Sequence, residues 1–274
     1  MNNRLFVVNK PLFVSSNQYL GRIKRKYKTK KAGFSGTLDP FAKGCLIVAF
    51  GQYTRLFQFL KKTPKRYKAT LFLGAYSETL DVEKISKVNI PTKFSFDEVK
   101  EIVDSFKGKI TQIPPKYSAK KIDGVRAYDL ARAGKDVDIK KIEVEIFDIK
   151  ITNYSHPFLS FEAEVSEGTY IRSLGRDIAQ KLGVDGSLTY LERLNEGKFI
   201  FEDEKALNPL EYLDLEKNEY LGDEENLILG RKLSISDFKI TKKGKYVVEF
   251  DNYFAIIEID ENVKYLLNKV ELCL

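Results

Sequence analysis

Short runs of apolar residues, several of them alternating with polar ones, predict β-strands along the first two hundred residues. The runs lie at residues 5–8, 45–50, 66–74, 141–152, 158–165 and 188–199. The runs at 141–152 and 158–165 flank Ser155-His156-Pro157, which reads as a turn. We therefore expect these two strands to form an antiparallel pair.

Apolar residues at helical spacing behind a serine predict two helices. Ser15 or Ser16 can cap the first, and Ser95 with Glu98 forms a capping box for the second, which Gly108 ends. Further helices are expected after residue 51, over residues 126–133 and from about residue 170 to 183. Strands and helices do not follow a regular βαβ order. This favours an α+β fold, with a mixed, largely antiparallel sheet and flanking helices.

The character of the chain changes after residue 200. Residues 201–229 contain ten acidic residues and two lysines, and short strand-like segments joined by tight turns follow from Gly230 onward. We predict a catalytic domain over residues 1–200, an acidic connecting segment over 201–229 and a small β-rich module over 230–274.

Positive charge is concentrated in the first quarter of the chain. The net charge is +7, yet residues 1–68 hold 16 Lys and Arg and one acid, Asp39. By subtraction, the remainder carries 30 basic and 38 acidic residues. Such a segment indicates a polyanionic partner, although a solvated helix face with no partner remains an alternative. The candidate phosphate contacts are Lys10, Arg22, Lys24, Arg25, Lys26, Lys28, Lys30 and Lys31.

Several other functions are disfavoured by residue content. The chain has one histidine, His156, and two cysteines, Cys45 and Cys273, so a zinc site or a Ser-His-Asp triad is not expected. His156 itself is expected to be an exposed loop residue. No apolar run is long enough to span a bilayer or to serve as a signal peptide, which predicts a cytoplasmic protein without a disulfide.

Asp39 stands out as a lone carboxylate in a glycine-bearing loop, predicted over residues 32–44, within this basic segment. Surrounding cations favour its ionised form, which suits nucleophilic attack or charge stabilisation better than proton donation. A plain Asp-Pro turn is the alternative interpretation of the same residues.

The residues around Asp39 form a long motif. From Gly33 to Leu46 the chain follows the pattern G-x-x-G-x-L-D-P-x-A-x-G-x-L, which resembles the catalytic motif of the TruB family of tRNA pseudouridine synthases. Further segments resemble other motifs of this family in the same order: Asn9-Lys10-Pro11, Ser15-Ser16-Asn17, Lys65-Arg66-Tyr67-Lys68, residues 112–121, Gly124, Tyr128, Ala131-Arg132, Gly134, residues 168–174 and Leu191-Glu192-Arg193-Leu194. The resemblance covers about residues 4–200.

The resemblance implies isomerisation of uridine to pseudouridine at position 55 in the T-arm of tRNA, by a monomer that needs no cofactor or metal. It implies that Asp39 is the catalytic carboxylate, acting as a nucleophile or as a base toward the ribose. Arg172 would pair with Asp39 in a bidentate pair, and Tyr67 would stack on the uracil. Further substrate contacts are implied or expected at Phe34, Tyr170, Leu191, Leu194, Lys10, Arg25 and Lys28. The C-terminal module is similar in placement to the family's PUA-like RNA-binding appendix.

One residue departs from the family pattern. Phe34 stands where the family usually has a histidine, and its ring can still offer a face for stacking. Two other functions remain open from the residues alone. One is a non-catalytic RNA-binding or tRNA-folding protein. The other is an acid hydrolase that uses Asp39 together with a second carboxylate, which the basic surroundings disfavour.

Overall fold

The computed structural model describes residues 3–118, 121, 122, 125, 126, 130 and 139–273. In chain order its strands are β1 (Arg4–Lys10), β2 (Ala32–Ser35), β3 (Lys43–Phe50), β4 (Lys65–Leu73), β5 (Ala75–Ser77), β6 (Ile85–Val88), β7 (Gly108–Gln112), β8 (Lys121–Ile122), β9 (Val125–Arg126), β10 (Ile142–Ser155), β11 (Phe158–Val165), β12 (Gly186–Glu196), β13 (Phe199–Ile200), β14 (Glu216–Lys217), β15 (Gly244–Glu249), β16 (Tyr253–Ile259) and β17 (Val263–Glu271). The helices are α1 (Ser16–Lys26), α2 (Phe96–Asp104), α3 (Ile171–Lys181) and α4 (Glu224–Ile228), with 3₁₀ helices at Gly51–Gln58, Val82–Lys84, Pro209–Glu211 and Ile235–Asp237.

A mixed sheet forms the centre of the molecule, in the order β1-β3-β12-β4-β11-β10-β7, with β2 beside β3 and β13 beside β12. Its pairs are antiparallel except for the short contact between β12 and β3. The predicted pair of β10 and β11 around His156 is present. This architecture confirms the α+β fold expected from the sequence.

Helices α1, α2 and α3 supply apolar side chains to one core with this sheet. Ser15 caps α1 and Ser95 caps α2, each through a capping box, which confirms both predicted helix starts. His156 is half-buried, not exposed, because its ring lies 3.0 Å from the carbonyl oxygen of Pro91 and beside the Phe94 ring.

Two local predictions need correction. Residues 32–35 were expected to be loop, but they form β2, which pairs with residues 47–50 of β3. The reason is tertiary: β12 pairs with β3 only at Lys43 and Gly44, so the other end of that edge is left for β2 to pair with. The helix expected after Gly51 is a 3₁₀ helix, which still buries Leu56 completely.

A second sheet, in the order β14-β15-β16-β17, forms the C-terminal part of the chain. A cluster of buried residues joins it to β1 and β3, and leucines of the acidic segment, including Leu207, Leu210 and Leu213, pack against that cluster. Strand β14 belongs to this second sheet although it lies within residues 201–229. The three-part domain division itself stays a prediction.

Some sequence predictions fall outside the described residues. They are most of the helix over residues 126–133 and the motif residues Ala119, Lys120, Gly124, Tyr128, Ala131, Arg132 and Gly134.

Candidate active site

The loop that carries Asp39 joins β2 to β3 and is fastened to the start of α1. Ser16 Oγ accepts a hydrogen bond from Leu38 N and bonds to Leu38 O, both at 3.0 Å. On the other side, Ala42 N donates to Asp39 O at 3.1 Å. These bonds fix the backbone around Asp39, while its side chain stays 32% exposed. The residue is therefore part of a turn and also available to a ligand.

Lys10 contributes to the same loop from inside the protein, and this corrects its expected role as a phosphate contact. The residue is completely buried. Its ammonium group donates to the carbonyl oxygens of Pro11 at 2.9 Å, Val14 at 2.7 Å and Pro40 at 3.4 Å. Burial lowers the pKa of Lys10 to about 8, although the carboxylate of Asp39 opposes the change. Lys10 thus positions backbone and cannot reach RNA.

The first turn of α3 is held against the end of β7. Gln112 Nε2 donates to Tyr170 O at 3.3 Å, and Tyr170 N donates to Gln112 Oε1 at 3.1 Å. Ser173 Oγ adds a bond of 2.8 Å to Ile113 O. Because the helix start is fixed in this way, the direction of the Arg172 side chain is fixed as well.

Arg172 is the centre of a hydrogen-bond and charge network. Its side chain is 5% exposed, and Nε lies 2.9 Å from Asp39 Oδ2. Nη1 donates to Thr79 O at 2.8 Å and lies 3.3 Å from Asp81 Oδ2, while Nη2 donates to Tyr117 O at 2.8 Å. The structure therefore brings Asp39 and Arg172 together. The contact is through one oxygen, not bidentate as expected, because both Nη groups bind other acceptors.

Asp81 is a member of this network that the sequence analysis missed. Its Oδ1 accepts from Thr79 Oγ1 at 2.6 Å and from Glu83 N at 3.0 Å. Burial raises the pKa of Asp81, while the Thr79 hydroxyl and the Arg172 guanidinium oppose that rise. Ser77, Thr79 and Asp81 are polar residues at every second position in the sequence after the apolar strand β4, and all three are buried. This alternation was the sequence feature that could have indicated Asp81 as part of the site.

A cavity of about 540 Å³ opens above this network. Its walls come from residues 15–17, 34, 36–40, 79, 81, 83, 84, 117, 118 and Arg172. The volume lies within the usual range for a small-molecule or nucleotide site. Phe34 lines the cavity beside Asp39, as expected of a residue that could stack on a base. Lys84 lines it as well, and its ammonium lies 4.9 Å from the centre of the Tyr117 ring.

A layer of buried charge supports the Asp39 loop from below. Arg193 is 2% exposed and donates to Gly36 O and to Cys45 O, each at 2.8 Å. Tyr67 lies opposite Arg193 in the β4–β12 register and is 8% exposed. It does not line the cavity described above. The structure thus places Tyr67 beneath the Asp39 loop, in the apolar core.

The other predicted contacts are scattered. Leu191 is buried in the main core and Leu194 is half-buried. Tyr170 is half-buried at the start of α3, and burial raises the pKa of its hydroxyl. Arg25 and Lys28 are exposed at the end of α1. Of the eight candidate phosphate contacts, Lys10 is buried, Lys24 is half-buried and the other six are exposed to solvent.

Across the described part of the chain, no group of three His, Cys, Asp or Glu side chains is arranged to hold a metal ion. Both cysteines are free. None of the described helices has the length and apolar character needed to cross a membrane.

Comparisons with known proteins agree on one family. A family model described as "TruB family pseudouridylate synthase (N terminal domain)" matches residues 24–171. A protein of Sulfurovum sp. called tRNA pseudouridine synthase B is 57% identical, over 98% of this chain and 97% of its own length. A protein of Campylobacter jejuni with the same name is 52% identical, over 99% of this chain and all of its own.

Solved structures show the same fold at lower identity. A Cbf5-Nop10-Gar1 complex matches with a TM-score of 0.67 at 19% identity, covering 98% of this chain and 84% of the other. An H/ACA RNP bound to a substrate RNA containing 2′-deoxyuridine matches with a TM-score of 0.62, also at 19% identity, covering 99% and 85%.

Proposed function

The chain belongs to the TruB family of pseudouridylate synthases, and we propose that it converts uridine 55 in the T-arm of tRNA to pseudouridine, with Asp39 as the catalytic carboxylate. The relatives that share more than half of its sequence over nearly its full length are called tRNA pseudouridine synthase B.

The observation that carries the proposal is the contact of 2.9 Å between Asp39 and Arg172 at the floor of an open cavity. The guanidinium orients the carboxylate through Oδ2. The Asp39 side chain is 32% exposed and lines the cavity. The carboxylate is therefore both held in place and accessible to a nucleotide.

Pseudouridine formation breaks the C1′–N1 bond of uridine, turns the uracil and joins C1′ to C5. C5 then loses its proton and N1 gains one. No oxidation or net transfer occurs, so the groups needed are a positioned carboxylate and a pocket that holds the detached base. Both chemical routes open to Asp39, attack on the nucleotide and removal of a ribose proton, require an ionised oxygen. Thr79, Asp81 and Tyr117 hold Arg172, the counter-ion of that oxygen, in place.

A uridine inside a folded arm must leave its stack before it can enter the cavity. The cost is about a few kcal/mol, and phosphate contacts can offset it. Helix α1, whose start is fastened to the Asp39 loop, carries the exposed cations Arg22 and Arg25, and the exposed Lys28 follows it. We propose that these side chains bind the RNA backbone. The cytoplasmic location and the monomeric state stay predictions.

The acid-hydrolase alternative requires a second carboxyl group that can reach the substrate. Asp81 is the carboxylate nearest to the Asp39–Arg172 pair in the network, but it is 2% exposed and both of its oxygens are occupied. It cannot protonate a leaving group in the cavity. Asp81 therefore does not supply the second carboxyl group, and the other candidate at the cavity wall is the exposed Glu83.

The test is conversion of unmodified tRNA by the purified protein, followed by mapping of pseudouridine at each position. We expect modification of position 55, none in tRNA with cytidine at that position, and a loss of turnover of about 10⁴-fold or more in Asp39→Asn. Asp214→Asn is the matched control, because its carboxylate is 64% exposed and lies 3.7 Å from Lys61.

Three results would contradict the proposal. They are turnover that survives in Asp39→Asn, pseudouridine at another position only, and no modification by the wild type. A protein that only folds tRNA would bind it equally well with and without the Asp39 carboxylate and would form no pseudouridine.

A further inference from the structure

Phe13 has an unusual combination of backbone conformation and exposure. Its φ angle is 58°, in the left-handed region, and it is 70% exposed. It lies in the tight turn between β1 and α1. A left-handed residue in such a turn is usually Gly or Asn, because a side chain with a bulky Cβ substituent crowds the backbone there. The sequence thus keeps a large aromatic ring where the backbone disfavours one.

Two other non-glycine residues with positive φ have local structural causes. Lys28, with φ of 50°, ends α1: Lys28 N donates to Arg25 O and Thr29 N to Lys24 O, which is how helices commonly terminate. Glu204, with φ of 60°, presents its carboxylate to Lys26. The Phe13 ring, in contrast, stacks on no other ring among the described residues and belongs to no core cluster. Packing within the protein does not explain it.

The turn that carries Phe13 is tied to the proposed catalytic loop. The buried ammonium of Lys10 bonds to the carbonyl oxygens of Pro11 and Val14, which flank Phe13, and to that of Pro40, next to Asp39. Immediately after the turn, residues 15–17 form one wall of the cavity. The ring is therefore displayed from a fixed backbone at the rim of the cavity, and it does not line the cavity itself.

We propose that the Phe13 side chain is a stacking platform for an unpaired nucleobase of the tRNA substrate that lies next to the extruded uridine. A phenyl ring without hydrogen-bonding groups binds a flat apolar face, and stacking on bases tolerates any base. Extruding one nucleotide exposes the faces of its neighbours, and a rigid ring outside the cavity can cover one of them. Backbone strain at such a position is typical of residues that are kept for binding. The inference rests on the proposed function, because it takes the Asp39 cavity as the place where tRNA binds.

The proposal predicts opposite effects on stability and on binding. Phe13→Gly relieves the left-handed strain, so the melting temperature should stay equal to that of the wild type or rise by about 1–4 °C. The same variant loses the stacking ring, so the Kd for unmodified tRNA should rise by about 5- to 150-fold. The turnover at saturating tRNA should stay within about twofold, because the ring acts on binding and not on the reacting atoms.

The experiment measures melting temperature, Kd, KM and kcat for four variants. Phe13→Asn also tolerates the left-handed conformation and should behave like Phe13→Gly, whereas Phe13→Tyr keeps the ring and should bind like the wild type. Phe96→Ala is the control, because that ring is 52% exposed on α2, which contributes nothing to the cavity. In a T-arm hairpin that carries 2-aminopurine beside position 55, the wild type should quench fluorescence more than Phe13→Gly.

A Kd for Phe13→Gly and Phe13→Asn within twofold of the wild type would overturn the proposal. An equal weakening in Phe96→Ala or in Phe13→Tyr would do the same. Failure of the proposed function is distinguished by Asp39→Asn in the same assay. Turnover that survives without Asp39 refutes the catalytic assignment, whatever the result at position 13.

Discussion

Glu196 forms two buried ion pairs below the Asp39 loop, and the distances in them give a quantitative prediction. The Glu196 side chain is 0% exposed, with Oε1 at 2.8 Å from Arg193 Nη2 and Oε2 at 3.1 Å from Lys65 Nζ. The side chains of Arg193 and Lys65 are themselves 2% and 11% exposed. Glu196→Gln keeps the shape of the side chain and removes its charge, so two buried cations are left without a counter-ion.

The size of the effect follows from the distances. With an effective dielectric constant of about 20, unit charges at the two observed separations attract by about 6 and about 5 kcal/mol. Burying a glutamine costs less desolvation free energy than burying a carboxylate, and this difference offsets several kcal/mol of the lost attraction. Removal of one partner from a buried ion pair costs about 3–5 kcal/mol net. We expect the free energy of unfolding of Glu196→Gln to fall by this amount.

The assay is urea denaturation of the wild type and of two glutamine variants at neutral pH. Glu192→Gln is the matched control on the same strand, because Glu192 lies 3.6 Å from Lys43 and the two side chains are 22% and 34% exposed. Partly exposed pairs of this kind contribute less than about 1 kcal/mol. If Glu196→Gln lost no more stability than Glu192→Gln, the electrostatic reasoning would be refuted.

Three further outcomes are expected. Arg172→Lys keeps the charge but cannot bind Asp39, Thr79 O and Tyr117 O at once. The kcat for pseudouridine formation should therefore fall by about 100-fold or more, while the melting curve stays like that of the wild type. An unchanged kcat would exclude an orienting role for Arg172. Gly44→Ala would place a Cβ 2.2 Å from the carbonyl oxygen of Arg193 at a φ of 111°, so the free energy of unfolding should drop by about 2–5 kcal/mol in a denaturant titration; a drop below that range would show that the strands can separate there. The pKa of Lys10 falls from 10.5 to about 8 on folding. Between about pH 8 and 10.5 the unfolded chain therefore binds this proton and the folded protein does not, so the contribution of Lys10 to the free energy of unfolding should rise with pH over that window. The difference in urea midpoint between the wild type and Lys10→Met should increase accordingly, and a constant difference would contradict the burial of the ammonium.

The local sequence pattern was sufficient to predict secondary structure that is determined by residues close together in the chain. The capping boxes at Ser15 and Ser95 and the hairpin around His156 were predictable because the interacting groups are three to a few residues apart. The same holds for the candidate catalytic residue. Asp39 could be selected because it is the one acid in a basic segment and because the motif around it is long.

Pattern failed where a residue's state depends on distant parts of the chain. Residues 32–35 became a strand because β12 leaves half of one β3 edge unpaired, which no local sequence shows. Lys10 looked like a surface cation, yet the fold closes three carbonyl groups around its ammonium. Asp81 entered the site through contacts made across the fold.

The sequence by itself determined the fold class and the family and singled out Asp39 as the candidate carboxylate, since these follow from periodicity and from a motif read in order. Only the tertiary structure decided which groups surround that carboxylate, which cations face solvent and which are buried, and where a ring is held at the rim of the cavity. The physical reason is that burial and charge pairing depend on separations in space. Arg172 meets Thr79 and Asp81 across about ninety residues of chain, and only folding sets those distances.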